Sequence, residues 1–268
     1  MTEMKEVVVT FNPDAVGRPG LLAARDASEV VRFAFHAMEQ TDLSTPPPIA
    51  EATISYDMGT GAMSAEERRT LYESWILSKA FTELARGIRE TLEEAYLFTR
   101  IVGLVNQRHP TVDEFNAEQD QGRKWAKQAS FPNLMAAVNE ALTGPLIFSS
   151  EFESLQKVRN CLEHRGGMVG KRDVDDSGLL LLSLPRLRLF YMRGEQEIEI
   201  ELGARVDSGD GREHVEVRLG RATRVRKYEL GEMVRFSAVD FHEIAHSCYL
   251  FIDDLIRKLP RTEFPANQ

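Results

Sequence analysis

The stretch SAEERRTLYESWILSKAFTELARGIRETLEEAYLFTRIVGLVNQRHP, residues 64–110, sets the architecture. Ser64 followed by Glu67 makes a capping box, in which a serine hydroxyl and a glutamate carboxylate satisfy each other's backbone N–H groups at a helix start. Leu71, Trp75, Phe81, Leu84, Ile88, Leu92, Ala95, Phe98, Ile101 and Leu104 then recur mostly at three or four residues, the period of a buried helix face. His109-Pro110 ends the run, because proline pushes the residue before it out of helical conformation. One long amphipathic helix, or two nearly collinear ones, would run on the order of 60 Å at about 1.5 Å per residue and form the spine of a bundle.

Working outward, the N-terminal side is broken up. Val7 to Phe11 is β-like, and Asp26 with Glu29 resembles a capping pair before a short apolar helix through Val30, Val31, Phe33, Phe35 and Met38. Pro46, Pro47 and Pro48 interrupt the chain, Thr53 to Tyr56 is a possible strand, and Gly59 and Gly61 make a loop. On the C-terminal side, Thr111 with Glu114 starts a helix through Trp125, Pro132 opens another that Gly144-Pro145 ends, and Ser150 with Glu153 caps a third. That third helix turns Phe152, Leu155, Val158 and Leu162 inward and stops at Gly166-Gly167.

From Leu179 to Ser237 the period changes to two. Leu187, Leu189 and Tyr191 precede a turn at Arg193-Gly194, Ile198, Ile200 and Leu202 follow it, and Val215, Val217 and Leu219 alternate again after a second turn at Asp207 to Gly211. This predicts an antiparallel meander of three to five strands. A last helix carries Phe241, Ile244, Cys248, Phe251, Ile252 and Leu255 on one face. The expected fold is mainly α with a β insertion, α+β: a helical bundle over 64–268 with strands inserted at about 179–237, and an N-terminal extension, 1–63, packed on it.

Composition narrows the function classes. The 268 residues are 43% hydrophobic and 28% charged, ordinary for a globular chain. The N-terminus lacks the basic and apolar regions of a signal peptide, and the longest apolar runs, Leu134 to Val138 and Cys248 to Ile252, are too short to span a bilayer. Two cysteines, Cys161 and Cys248, in apolar helical contexts read as core residues of a reducing cytosol. The expectation is a soluble cytoplasmic protein with no membrane attachment. A formal net charge of −9 excludes a uniformly cationic nucleic-acid binder but leaves room for local patches. Two runs are basic: Gln156 to Arg172, with Lys157, Arg159, Arg165, Lys171 and Arg172 against Glu163, and Arg218 to Lys227, with five bases and no acid. Taken alone, each reads as a solvated surface.

The run Arg159-Asn160-Cys161-Leu162-Glu163-His164 is the candidate site. With 25 arginines and six histidines, about half of such chains would show this spacing by chance, and a histidine in the last turn of a helix also serves the helix dipole. Context gives it weight. Glu151 to Gly170 resembles the HEPN family of helical-bundle nucleases and nucleotide-binding proteins, whose signature is an arginine, commonly followed by Asn, Asp or His, then a histidine after four to six intervening residues. Arg159, Asn160 and His164 match it, and the resemblance extends in architecture over roughly 64 to 258. It implies a metal-independent endoribonuclease without cofactor: Arg159 stabilises the phosphate, His164 moves protons and Asn160 assists, with Lys157, Arg165, Lys171 and Arg172 contacting RNA. The chemistry is self-consistent, since attack by the 2′-hydroxyl of RNA needs a base near neutrality and permanent positive charge on the phosphate. Arg159 and His164 lie about 140° apart on a regular helix, so either the helix end unwinds or two copies pool residues. The resemblance implies the latter, a site shared across a homodimer, and often a toxin or defence role restrained by an antitoxin or regulator. The alternative is a non-catalytic HEPN-like binding or dimerisation module.

A rival pattern, His242-Glu243-Ile244-Ala245-His246, matches H-E-x-x-H of zinc peptidases. Its histidines point nearly opposite to the apolar face of their helix. Tyr249 and Ile252 stand where an extended zinc motif requires glycine and histidine. Asp57 to Gly61 lacks the lysine and spacing of a P-loop, and Ser149-Ser150 lacks a nucleophile-elbow context.

Overall fold

The computed structural model describes residues 10–45, 63–200 and 216–262. The expected features at 7–9, 46–62 and 201–215, among them the strand at Thr53 to Tyr56, Leu202, Val215 and the turn at Asp207 to Gly211, lie outside them. Six helices and a three-stranded antiparallel sheet make up the described fold. It is mainly helical, with the sheet placed before the last helix.

The spine is α2 (Ala65–Gln107), an unbroken helix of 43 residues. Ser64 and Glu67 form their capping box: Ser64 Oγ accepts the Glu67 N–H at 3.2 Å and Glu67 Oε2 accepts the Ser64 N–H at 2.8 Å. Leu84, Ile88, Leu92 and Ala95 are almost fully buried, and each such leucine or isoleucine contributes roughly 1.5–3 kcal/mol.

Helix α1 (Pro13–Gln40) begins well before the Asp26–Glu29 pair expected to start it. Asn12 is the cap, accepting the Asp14 N–H at 3.1 Å, and Pro13 occupies the first turn, where its missing N–H costs nothing. The first half buries Gly17, Gly20, Ala23, Ala24 and Ala27, residues too small to show as an apolar period. Their size is required by close approach. A Cβ on Gly87 of α2 would lie 2.4 Å from that of Ala23, one on Gly20 would lie 2.7 Å from Ile252 Cδ1, and the Gly20 N–H donates to Thr91 Oγ1 at 2.9 Å. At the other end Arg69 Nη2 reaches the Met38 carbonyl at 3.4 Å, so α1 and α2 run antiparallel. Within the N-terminal extension, α1 is therefore part of the bundle core.

Helices α3 (Val112–Gln128) and α4 (Phe131–Ala141) follow. The first is capped by Thr111 and Glu114, the second by Ser130 with Pro132 in its first turn. Helix α5 (Ser149–Arg165) does not use the Ser150–Glu153 cap. Phe148 precedes it in the left-handed region, φ 57°, an uncommon conformation for a bulky residue, compensated by burial of its ring in the core. Helix α5 ends at Gly166 and Gly167, φ 58° and 88°, where the Gly167 N–H returns to the Cys161 carbonyl at 3.1 Å, a glycine C-cap.

Strands β1 (Leu179–Arg193), β2 (Gln196–Ile200) and β3 (Val217–Glu229) form a sheet in the order β2-β1-β3. The β1–β2 hairpin turns at Gly194-Glu195, one residue later than expected, with Gly194 at φ 63°. The alternation sets the shared face. Leu189 sits between Ile200 and Leu219, and Tyr191 between Ile198 and Val217. The base of the sheet, through Leu180, Leu182 and Leu184, enters the core. Ser183 N–H donates to Ser154 Oγ of α5 at 2.9 Å, and Thr223 Oγ1 donates to Glu151 Oε1 at 2.5 Å. Helix α6 (Ala238–Lys258) closes the bundle with the expected face buried. Phe251 packs on Phe152 at 4.6 Å and Phe241 meets Phe81 edge-on at 5.8 Å. Cys161 and Cys248 are free and buried, and burial pushes both thiols up. Among the described residues, no helix is long and apolar enough to cross a membrane.

Candidate functional site

The last turns of α5 carry the predicted site residues. Gln156 fixes that helix against α2 by donating its Nε2 to the Ala85 carbonyl at 2.5 Å. One turn on, Arg159 is half-buried, and its Nη2 pairs with Glu163 Oε2 at 2.8 Å. Its Nε is shut off from solvent, with no hydrogen-bond partner among the described residues. Asn160 and His164 are exposed, one turn apart, and Lys157 is exposed a turn earlier. These three therefore share a flank of α5 open to solvent. The helix stays regular through Arg165, so it does not unwind at His164. Arg159 and His164 remain about 140° apart around it, and one chain does not bring them together.

Arg165 is committed elsewhere. Its Nη2 pairs with Asp173 Oδ1, while Asp173 Oδ2 accepts the Gly170 N–H at 2.8 Å. This clamp holds the loop after α5 against the helix end. Lys171 and Arg172, on that loop, are exposed. The clamped loop thus keeps two bases close to the end of the helix that carries His164.

A groove of about 1010 Å³ opens beside this helix end, at the upper end of the size range of small-molecule sites. Among the described residues, α5 stops at Arg165 short of the first turns of α2, and the groove lies along the stretch of α2 that α5 does not reach. Its lining is mixed: hydroxyls at four-residue spacing, Thr70, Ser74, Ser78 and Thr82, stand beside the apolar Leu71, Leu162, Met233 and Val234. Trp75, 61% exposed, stands at the rim with Lys79 Nζ 5.9 Å from its ring centroid. Glu163 lines one wall, and Met233 and Arg235 line another.

Helix α6 carries the rival motif, whose parts do not converge. His242 is half-buried and His246 exposed. Burial, then His246 and Arg32, holds the His242 imidazole below its usual range. Glu243 is nearly buried and turned to the sheet, where Arg186 Nε approaches Oε1 at 3.2 Å and Arg224 Nη2 approaches Oε2 at 2.9 Å. A carboxylate held by two arginines is not free to act as a general base. Among the described residues, no group of three or more histidine, cysteine or acidic side chains converges as a metal site.

Neighbouring Asp240 is also buried and receives Arg224 Nη1 at 2.6 Å and Arg226 Nη2 at 2.7 Å. Burial opposes its ionisation, but the Ser237 N–H and hydroxyl and the two arginines outweigh that and hold the carboxyl below the usual carboxylate range. The basic run Arg218 to Lys227, expected at a solvated surface, is thus partly neutralised by α6.

Sequence reasoning missed this network, the groove and the Arg159–Glu163 pair. The four-residue spacing of Arg159 to Glu163, and of Thr70 to Thr82, was the available signal in two of the cases. No family model, no curated protein and no solved structure matches this chain.

Proposed function

We propose that the chain is a HEPN-like, metal-independent endoribonuclease of the cytosol, working as a homodimer in which Arg159 of one protomer faces the partner subunit's His164. The observation that carries the reading is the exposed Asn160–His164 flank, set beside the half-buried Arg159 and the clamped Lys171–Arg172 loop. The imidazole takes the proton of a ribose 2′-hydroxyl, and the 2′-oxygen attacks the adjacent phosphorus. The 5′-oxygen leaves and takes a proton from water, giving a 2′,3′-cyclic phosphate and a 5′-hydroxyl end. Arg159 supplies permanent charge to the crowded phosphate, and Asn160 orients it. Lys157, Lys171 and Arg172 hold the backbone by charge alone, which makes binding salt-dependent. By the same resemblance, the enzyme serves as a toxin or defence effector held in check by a protein regulator.

The test is cleavage of a labelled mixed RNA by purified protein in excess EDTA, beside His164→Ala and Arg159→Ala, all checked for folding. Cleavage by the parent chain alone, with cyclic phosphate ends, is the expected result. Cleavage by His164→Ala at the parent rate removes His164 from the mechanism. The Arg159–Glu163 pair favours a second reading, a non-catalytic HEPN-like binding or dimerisation module in which this arginine is structural. Failure of the parent chain to cleave, with RNA still bound, supports that reading.

A further inference from the structure

We infer that the outer edge of β3 docks an acidic strand of a partner protein, which adds to the sheet with carboxylates against Arg221 and Lys227 and apolar side chains against Val217, Leu219 and Val225. The inference stands whether or not the chain cuts RNA. Strand order puts β2 and β3 at the two edges of the sheet, and the two edges differ. β2 has five residues and β3 thirteen. β3 pairs with β1 without a bulge along its whole length and holds no proline. Among the described residues no strand pairs on its other side. A long, straight edge without proline is a template for another strand.

Helix α5 reports which backbone groups of β3 face outward. The Ser183 N–H donates to Ser154 Oγ of that helix, so it points away from β3. Residues directly opposite each other in an antiparallel pair turn their backbone groups either both toward the partner strand or both away from it. Val225, opposite Ser183, therefore turns its N–H and C=O away from β1. Alternation extends this to Val217, Leu219, Arg221, Thr223 and Lys227. The side chains of these six residues share one face of the sheet, and all six residues are exposed. Edge and face are open at the same positions.

Charge selects the occupant. Arg224 and Arg226 turn to the other face, toward Asp240 and Glu243. Arg221 and Lys227 form no ion pair among the described residues. Because Arg218 to Lys227 holds five bases and no acid, the same edge of a second copy is repelled. Val217, Leu219 and Val225 are 49%, 53% and 58% exposed, and with the outward carbonyls they disfavour a phosphate backbone. An extended peptide instead supplies an N–H for each carbonyl and a carbonyl for each N–H. Added antiparallel, its alternate residues read acidic, apolar, neutral, acidic, apolar, apolar from the Lys227 end.

The test titrates the full chain with a fluorescein-labelled undecapeptide whose alternate residues are Glu, Val, Thr, Glu, Ile and Val, with serine and threonine between them, and with the same peptide carrying Lys in place of Glu. The expected result is a saturable anisotropy change with the acidic peptide alone. The double variant Arg221→Glu/Lys227→Glu, checked for folding, weakens it about tenfold or more and admits the lysine peptide. Leu219→Pro removes an outward N–H while leaving the β1 ladder whole, and weakens binding several-fold. Hydrogen exchange reads the geometry. In the free chain the Leu219, Arg221 and Thr223 amides exchange faster than those of Arg218, Gly220 and Ala222, which face β1, and the acidic peptide slows them. Absence of binding, binding that ignores the charge of the peptide, or binding that leaves the Leu219 and Arg221 amides unprotected overturns the inference. So does protection that rises with protein concentration alone, which gives the edge to a second copy, or a labelled RNA held there in place of the peptide.

Discussion

The two basic runs of the chain, Gln156 to Arg172 and Arg218 to Lys227, look alike in composition and have opposite fates. In the second, Arg224 and Arg226 reach Asp240 and Glu243 across the sheet–α6 contact, and their charge is spent inside the fold. In the first, Arg165 is spent on Asp173 and Arg159 shares a partly exposed pair with Glu163 of its own helix, while Lys157, Lys171 and Arg172 stay open to solvent. Positive charge along a sequence becomes a binding surface only where the fold fails to bring acids to it. The same contrast separates the two histidine motifs. Glu243 of α6 is a buttress between strands and helix, whereas Asn160 and His164 of α5 are exposed.

The contrast is sharpest in stability. Asp240→Ala removes the capping partner of Ser237, takes the acid from Arg226 and leaves Arg224 with Glu243 alone, so it is expected to cost about 3 kcal/mol in urea unfolding. The double variant Lys171→Ala/Arg172→Ala is expected to stay within about 0.5 kcal/mol of the parent while losing affinity for RNA. Similar costs for the two would erase the distinction. Acid gives a second handle. Asp240 has its carboxyl held low in the folded chain, so its contribution is present above about pH 4 and lost as pH falls further. Thermal melts between pH 6 and 3 are expected to show a steeper loss for the parent than for Asp240→Ala. Next, Arg165→Ala releases the Asp173 clamp at a cost of about 1 kcal/mol, seen as faster hydrogen exchange at the Gly170 amide with the global unfolding midpoint little moved. The smallest effect belongs to His242. Its imidazole is held low by burial, so the folded state favours the neutral form. Stability from it is present above about pH 6.5 and declines below. His242→Gln is expected to flatten that slope by less than about 1 kcal/mol.

What the sequence made legible follows from where the physics is local. The capping boxes at Ser64 and Thr111 and the glycine stop at Gly166 are short-range devices, and each stands where it was read. The shared face of β1, β2 and β3 was legible from apolar alternation, whereas the register was not, because a slip of two residues keeps the same face and the hairpin turns one residue beyond Arg193-Gly194. The first half of α1 was hidden, because its packing uses glycine and alanine and contains Pro19. The start of α5 was hidden too, because Phe148 in the left-handed region carries no sequence mark. For the site, the exposure of Asn160 and His164 was in keeping with the motif. The pairing of Arg224 with α6 depends on strand register and helix placement together, which no local spacing reports.

Complementation tests the central claim most directly. Arg159→Ala and His164→Ala, each inactive alone, are mixed, allowed to exchange protomers and assayed on RNA in EDTA. In a mixed dimer one composite site retains both residues, so the account predicts recovery to about a quarter of parent activity. No recovery, from variants shown to exchange protomers, would contradict a site shared between two chains.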